Sequence, residues 1–291
     1  MPRLSPVTGR YVQVDVDGAE YKVFYEENGQ GIPLVCQHTA GCHNHQWRYF
    51  LEDPDFTRDF RVIAYDLPRH GKSDPPANQE WWKDEYRLTT SHFVNFIVAF
   101  CKELELEAPV FMGSSFGGCV ALHLAHDHPD YFRAVIALEA ADYRPGFYND
   151  WFHHPDVNSQ DVNSYGVMGL MAVPPLISEQ DRRATVFYYS QGAPGVLKGD
   201  LYFYSVDHDM RETVHEIDTS RCMVYMLTGE YDYLTTSRMS EETCDKIRGA
   251  QFVEMKELGY FPMSESGPAF KRYITPVLED VRSRALTSTS R

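Results

Sequence analysis

Val110-Phe111-Met112 runs straight into Gly113-Ser114-Ser115-Phe116-Gly117, and Phe116 to His126 then has the composition of a helix. A strand that turns into a helix within so few residues leaves no room for bulky neighbours. Gly113 and Gly117 therefore flank Ser115, whose hydroxyl is lifted above the end of the strand, at the helix N-terminus, where negative charge is favoured. Gly-x-Ser-x-Gly alone is a weak pattern and also describes a glycine-rich turn with an incidental serine. Its place between a strand and a helix is what marks Ser115 as a nucleophile. Ser114 carries a second hydroxyl at the variable position of the motif, within reach of a bound substrate.

Working outward, Tyr11 to Val16 and Glu20 to Tyr25 flank Asp17-Gly18, which predicts a hairpin. Short apolar runs at Pro33 to Gln37, Arg61 to Tyr65, Arg133 to Leu138, Cys222 to Thr228 and Gln251 to Met255 predict further strands. Helical spacing covers Ser91 to Leu104 and Ala269 to Val281. Strands that alternate with helices imply an α/β fold with a mostly parallel sheet covered on both faces. Between Ala140 and about Asp218 the alternation stops. That stretch is rich in proline and aromatic residues, among them Trp151 and Tyr188, and linkers are not aromatic-rich. We expect residues 1–140 and 219–285 to form the core and 141–218 an inserted, mainly helical cap. Trp151 and Tyr188 are then candidate substrate contacts, although the same aromatics also suit a cap's own core. The polar tail from Arg282 is expected to fray.

A chain of 291 residues with 43% hydrophobic and 24% charged residues is globular. Its net charge of -15 disfavours nucleic acid and anionic membrane surfaces as partners. No apolar run is long enough to span a bilayer, no signal core follows Met1, and a cytoplasmic location is expected. The scattered cysteines at 36, 42, 101, 119, 222 and 244 suit reduced, buried thiols. Gly71-Lys72-Ser73 is not the end of a phosphate loop, because the first glycine of that motif would fall on Asp66. His43 and His45 lack further metal ligands in the pattern. Neither metal nor organic cofactor is expected. The partner is a small molecule, and a homodimer is conceivable from the chain's class alone.

Over essentially its whole length the sequence resembles the α/β-hydrolase superfamily, and within it the capped single-domain esterases, lactonases and carbon–carbon bond hydrolases. The resemblance rests on the Ser115 motif, on Asp232 in Thr228-Gly229-Glu230-Tyr231-Asp232, on His38-Thr39-Ala40-Gly41 after a strand, and on Leu258-Gly259-Tyr260-Phe261-Pro262-Met263. It implies Ser115 as nucleophile, Asp232 as acid, and the N–H groups of Ala40 and Phe116 as oxyanion donors. His38 is expected to fold the oxyanion loop and to border the substrate. The base position falls on Tyr260, where the family carries histidine. An unperturbed phenol has a pKa of about 10 and is a donor at neutral pH. Three explanations stay open. A hydrolase of a mid-sized apolar or aromatic ester, lactone or carbon–carbon bond is impaired by a His-to-Tyr change. The site has been repurposed for lyase, decarboxylase or cyclase chemistry, with the base elsewhere, for example at His208 or His215. Or the protein binds a small molecule without turnover.

Overall fold

Residues 4–149 and 159–288 are described by a computed structural model. The chain opens with strands β1 (Thr8–Val16) and β2 (Ala19–Gly29), paired antiparallel through Asp17-Gly18. Both turn residues have positive φ, 52° and 78°, as the tight turn that matches strand twist requires. Strand β3 (Ile32–Gln37) leads through short helices α1 (Arg48–Glu52) and α2 (Pro54–Thr57) to β4 (Phe60–Tyr65). Helix α3 (Thr90–Glu103), strand β5 (Val110–Ser114), helix α4 (Phe116–Asp127) and strand β6 (Ala134–Leu138) follow.

Between β6 and β7 lie helices α5 (Ser159–Leu170), α6 (Glu179–Tyr189) and α7 (Val196–Tyr202), then a π turn at Phe203–Asp207. Strand β7 (Met223–Gly229), helix α8 (Ser237–Cys244), strand β8 (Gln251–Met255), the one-turn helix α9 (Pro262–Glu265) and helix α10 (Gly267–Ser288) complete the described chain. The six cysteines are buried and unbridged.

The eight strands form one sheet in the order β1-β2-β4-β3-β5-β6-β7-β8. From β4 to β8 every neighbouring pair is parallel; β1 and β2 join antiparallel. Side chains alternate between two cores, because successive residues of a strand face opposite sides. Val35, Ile63, Phe111, Val135 and Met226 pack with α3 and α4. Leu34, Val62, Met112, Ile136 and Leu227 pack on the face of α1, α2 and α10. The chain moves outward from β3 to β4 and then crosses to the other side of β3 for β5. The order of strands reverses there, at the end of the sheet where ligands usually bind in open α/β folds.

Two expectations change. Helix α10 continues to Ser288 instead of fraying from Arg282: Val281 and Ala285 are buried, Arg282 Nη1 donates to Asp59 Oδ2 at 2.6 Å, and Arg284 Nε donates to Asp280 Oδ1 at 3.0 Å. Second, some aromatics between β6 and β7 belong to the main core. Phe203 sits against Phe93 at 5.2 Å between ring centroids and is fully buried. Trp151 lies outside the described residues. Among the described residues no helix is long and apolar enough to cross a membrane.

The turn into α4 gives a direct test of this packing. A Cβ on Gly113 would overlap the Gly117 carbonyl, whereas one on Gly166 in α5 would meet open space. Urea denaturation should show Gly113→Ala losing about 1–3 kcal/mol or more, and Gly166→Ala gaining up to about 1 kcal/mol from reduced chain entropy. Equal effects at the two sites would contradict this packing.

Candidate active site

Ser115 stands between β5 and α4 with φ 60° and ψ -119°. That conformation is costly for a side chain with a Cβ, by about 1–3 kcal/mol, and persists only where the surroundings enforce it. Here the Ser115 N–H donates to Leu138 O at 2.9 Å, and the Cys119 N–H donates to Ser115 O at 2.8 Å. The residue is 1% exposed. The first-turn N–H of Phe116 and the N–H of Ala40, in the loop after β3, have no acceptor among the described residues. Thr39-Ala40-Gly41 is itself held as a tight turn. The Cys42 N–H donates to Thr39 O at 3.1 Å, and the Thr39 N–H donates to Gln46 Oε1 at 2.8 Å.

Tyr260 comes from the loop between β8 and α9. Its hydroxyl is hydrogen-bonded to the Ser115 hydroxyl. The backbone on either side is clamped by one buried carboxyl: Gly259 N–H donates to Glu265 Oε2 at 2.7 Å and Phe261 N–H to Oε1 at 2.9 Å. The ring stands edge-on to Phe261, 4.8 Å between centroids. Burial pushes the phenol well above its ordinary range. The nearby Tyr204, Tyr189 and Asp232 push the same way, against the hydrogen bond from Ser115. At neutral pH Tyr260 keeps its proton.

Asp232 follows β7 and is 3% exposed. Its Oδ1 accepts from the N–H groups of Leu234 at 2.8 Å and Thr235 at 3.0 Å, while Oδ2 has no hydrogen-bond partner among the described residues. Glu139, at the end of β6 with φ 52°, lies against it and accepts from the Gly229 N–H. Glu139 and Asp232 are close enough to share a proton, although no hydrogen bond of good geometry reaches Oδ2. Burial raises both. Asp232 reaches about 6, restrained by Glu139, by the N–H donors of Thr235 and Leu234, and by the Arg144 cation. Glu139 is driven much further up by burial and by the Asp232 charge, so it holds the proton and Asp232 the charge. Arg144 is buried and donates from Nε to Tyr204 Oη at 3.1 Å and from Nη2 to Leu234 O.

The other sequence candidates fall elsewhere. His38 is not free to meet a ligand: its Nε2 accepts from the Leu67 N–H at 3.1 Å and its Nδ1 donates to Thr39 O at 2.9 Å. Burial depresses its pKa strongly, so it is a neutral brace between two loops. Ser114 is fully buried and its hydroxyl has no hydrogen-bond partner among the described residues. Tyr188 packs edge-on to His43 at 5.2 Å and His45 at 5.5 Å. His208 has both ring nitrogens engaged elsewhere, with His123 Nε2 at 3.0 Å and Ala141 O at 2.8 Å. His215 is exposed on a surface turn. Among the described residues no three His, Cys, Asp or Glu side chains converge as a metal site would require. The reading from sequence missed Glu139, Arg144, Tyr204 and Glu265. Of these only Glu139 carried a local signal, a carboxyl directly after an apolar strand run.

The family model for the alpha/beta hydrolase fold matches residues 32–166. That match and the sheet topology give the chain the α/β-hydrolase fold. It is similar to 2-hydroxymuconate semialdehyde hydrolase of Pseudomonas sp. (strain CF600), 30% identical over 141 residues, which span 48% of this chain and 46% of that protein. The match thus spans about half the length of that curated relative. Among solved structures it resembles a hydrolase from Pseudomonas aeruginosa PA01, with TM-score 0.76 and 21% identity over 93% of this chain and 98% of that one. It also resembles the enol-lactonase from Burkholderia xenovorans LB400, with TM-score 0.71 and 19% identity over 93% and 100%. At such identities the α/β-hydrolase fold is what these structures share with the chain.

The clamp on the Tyr260 loop should be visible in stability. Burial raises Glu265 to about 7, against about 4.3 for an exposed glutamate. Folding therefore favours the protonated form. The stabilisation is complete below about pH 4 and is lost as pH rises through about 7. Denaturation across pH 4–8 should show the parent chain losing about 3 kcal/mol of stability relative to Glu265→Gln as pH rises. A constant difference would mean that folding does not raise the Glu265 pKa.

Proposed function

We propose that Ser115, Asp232 and residue 260 form a serine-hydrolase site for an ester, lactone or carbon–carbon bond of a mid-sized, largely apolar small molecule, and that Tyr260 suppresses the hydrolytic step. One observation carries this: the Tyr260 hydroxyl reaches the Ser115 hydroxyl while Oδ2 of the ionised Asp232 stays unpaired. An imidazole at residue 260 has two ring nitrogens, one for each of these partners; a phenol offers one oxygen. The hydrolase names of the relatives support the same reaction class.

In hydrolysis Ser115 Oγ attacks the substrate carbonyl while a base takes its proton, and the N–H groups of Ala40 and Phe116 receive the developing oxyanion. Tyr260 cannot accept that proton, since its pKa is raised far above neutrality. Loss of a triad member costs about 10⁴- to 10⁶-fold in turnover, leaving substrate binding and the oxyanion donors in place.

A second function is favoured by a separate observation. Tyr260, Tyr189 and Tyr204 are buried phenols held in their protonated form, and the latter two lie close enough to Tyr260 to raise its pKa. Such donors suit protonation of a carbonyl or enolate in lyase, decarboxylase or cyclase chemistry, and they suit binding without turnover.

The comparison of Tyr260→His with the parent chain on aryl esters and lactones separates these. Hydrolysis through an impaired site predicts a gain in kcat/KM of about 10³-fold or more, abolished by adding Ser115→Ala. No gain, with turnover of a β-keto acid or hydroxy ketone by the parent chain, supports protonation chemistry. No turnover by either, with unchanged ligand affinity, supports a binding protein.

A further inference from the structure

The loop proposed to supply an oxyanion donor is tied to a residue outside the sheet's own loops. The Gly41 N–H donates to Asp200 Oδ2 at 2.8 Å, and Asp200 lies on α7, in the stretch between β6 and β7. The same carboxylate oxygen accepts from His70 Nε2 at 2.8 Å, and Oδ1 accepts from Tyr86 Oη at 3.1 Å. His70 Nδ1 lies 3.0 Å from Pro68 O. Both ring nitrogens of His70 thus face acceptors, which requires both to carry hydrogen and makes the ring an imidazolium. Asp200 and His70 are fully buried. A carboxylate so desolvated is tolerable only with its cation and donors in place, because an unpaired buried charge costs several kcal/mol.

Helix α7 is also fitted closely to the loops beneath it. Leu197 lies against Gly41, where even a Cβ would be crowded at 3.1 Å. The Leu88 N–H donates to Gly199 O at 3.1 Å. Ser115 is 1% exposed, Asp232 3% and Tyr260 7%. A substrate reaches Ser115 only if elements packed over it move.

We propose that Asp200 is a positioning residue that makes the oxyanion loop's shape conditional on α7 being seated. The proposal rests on the hydrolase function above. With α7 in place, Asp200 fixes the Gly41 peptide and hence the Ala40 N–H beside it. With α7 displaced to admit substrate, Gly41 loses its acceptor and the loop is released. The oxyanion donors are then complete only in the closed state, so binding energy is spent on assembling the catalytic geometry.

Hydrogen exchange on the chain as it stands tests the coupling without any turnover. Asp200→Ala should speed exchange in peptides covering 38–46 by about tenfold or more while 108–127 stays protected. Asp200→Asn, which keeps the volume and one acceptor oxygen, should show a smaller change in the same peptides and guards against a general loss of fold. Unchanged exchange in 38–46 in both variants overturns the proposal.

In the Tyr260→His background, Asp200→Ala should lower kcat about 10²-fold, the cost of a misplaced oxyanion donor, with KM within about threefold. Asp200→Asn should recover at least about tenfold of that loss. A change in KM alone, or an unchanged kcat, also overturns it. If Tyr260→His hydrolyses nothing, the hydrolase function fails, and the exchange result still decides whether Asp200 holds the loop.

Discussion

The approach of Gly113 to Gly117 at the end of β5 is the constraint on which this molecule turns. Chain direction reverses within one residue there, and Ser115 absorbs the reversal in a backbone conformation with φ 60°. Nothing at the turn itself favours that conformation. It is held by β6 on one side, through Leu138 O, and by the first turn of α4 on the other. The sheet must therefore be assembled before the serine is presented. The stored strain is a cost drawn from core packing by the many apolar residues of β3, β5 and β6.

Around that turn the chain collects charge that it cannot solvate. Glu139, Asp232 and Glu265 are buried carboxyls, and burial raises all three. One proton on Glu139 relieves the repulsion and leaves the negative charge on Asp232, within reach of the Arg144 cation. Histidine at residue 260 would complete a path from that charge to the serine. Tyrosine interrupts it, because its single oxygen is already committed to Ser115. In the proposed hydrolase site, the electrostatics are those of a base-assisted nucleophile without the base. The buried phenols of Tyr189 and Tyr204 deepen the contrast by filling the surroundings with proton donors.

Much of this was legible along the chain. The strand–glycine–serine–glycine–helix order around Ser115, the apolar runs of β3 to β8 and the positive-φ hairpin at Asp17-Gly18 are local patterns. Each reflects a constraint that acts between residues a few positions apart, and the parallel sheet follows from their alternation. Tyr260 stood out for the same reason, by its place in a short motif. The reading failed where local pattern and packing disagree. The polar composition after Arg282 suggested a loose end, yet Asp59, more than two hundred residues earlier, supplies a partner that extends α10. His38 looked available beside the oxyanion loop, and contacts to Leu67 and Thr39 consume both of its nitrogens.

The identity of the elements and the residue types at the turn belong to sequence, because propensity, side-chain periodicity and glycine's lack of a Cβ act over short spans. The pairing of Ser115 with Tyr260, 145 positions apart, the approach of Glu139 to Asp232, and the hold of Asp200 on Gly41 came only with folding. These depend on which strand ends meet at the reversal between β3 and β5, and on how deeply each group is removed from water. Burial sets the protonation of a carboxyl or a phenol, and burial is a property of the folded whole.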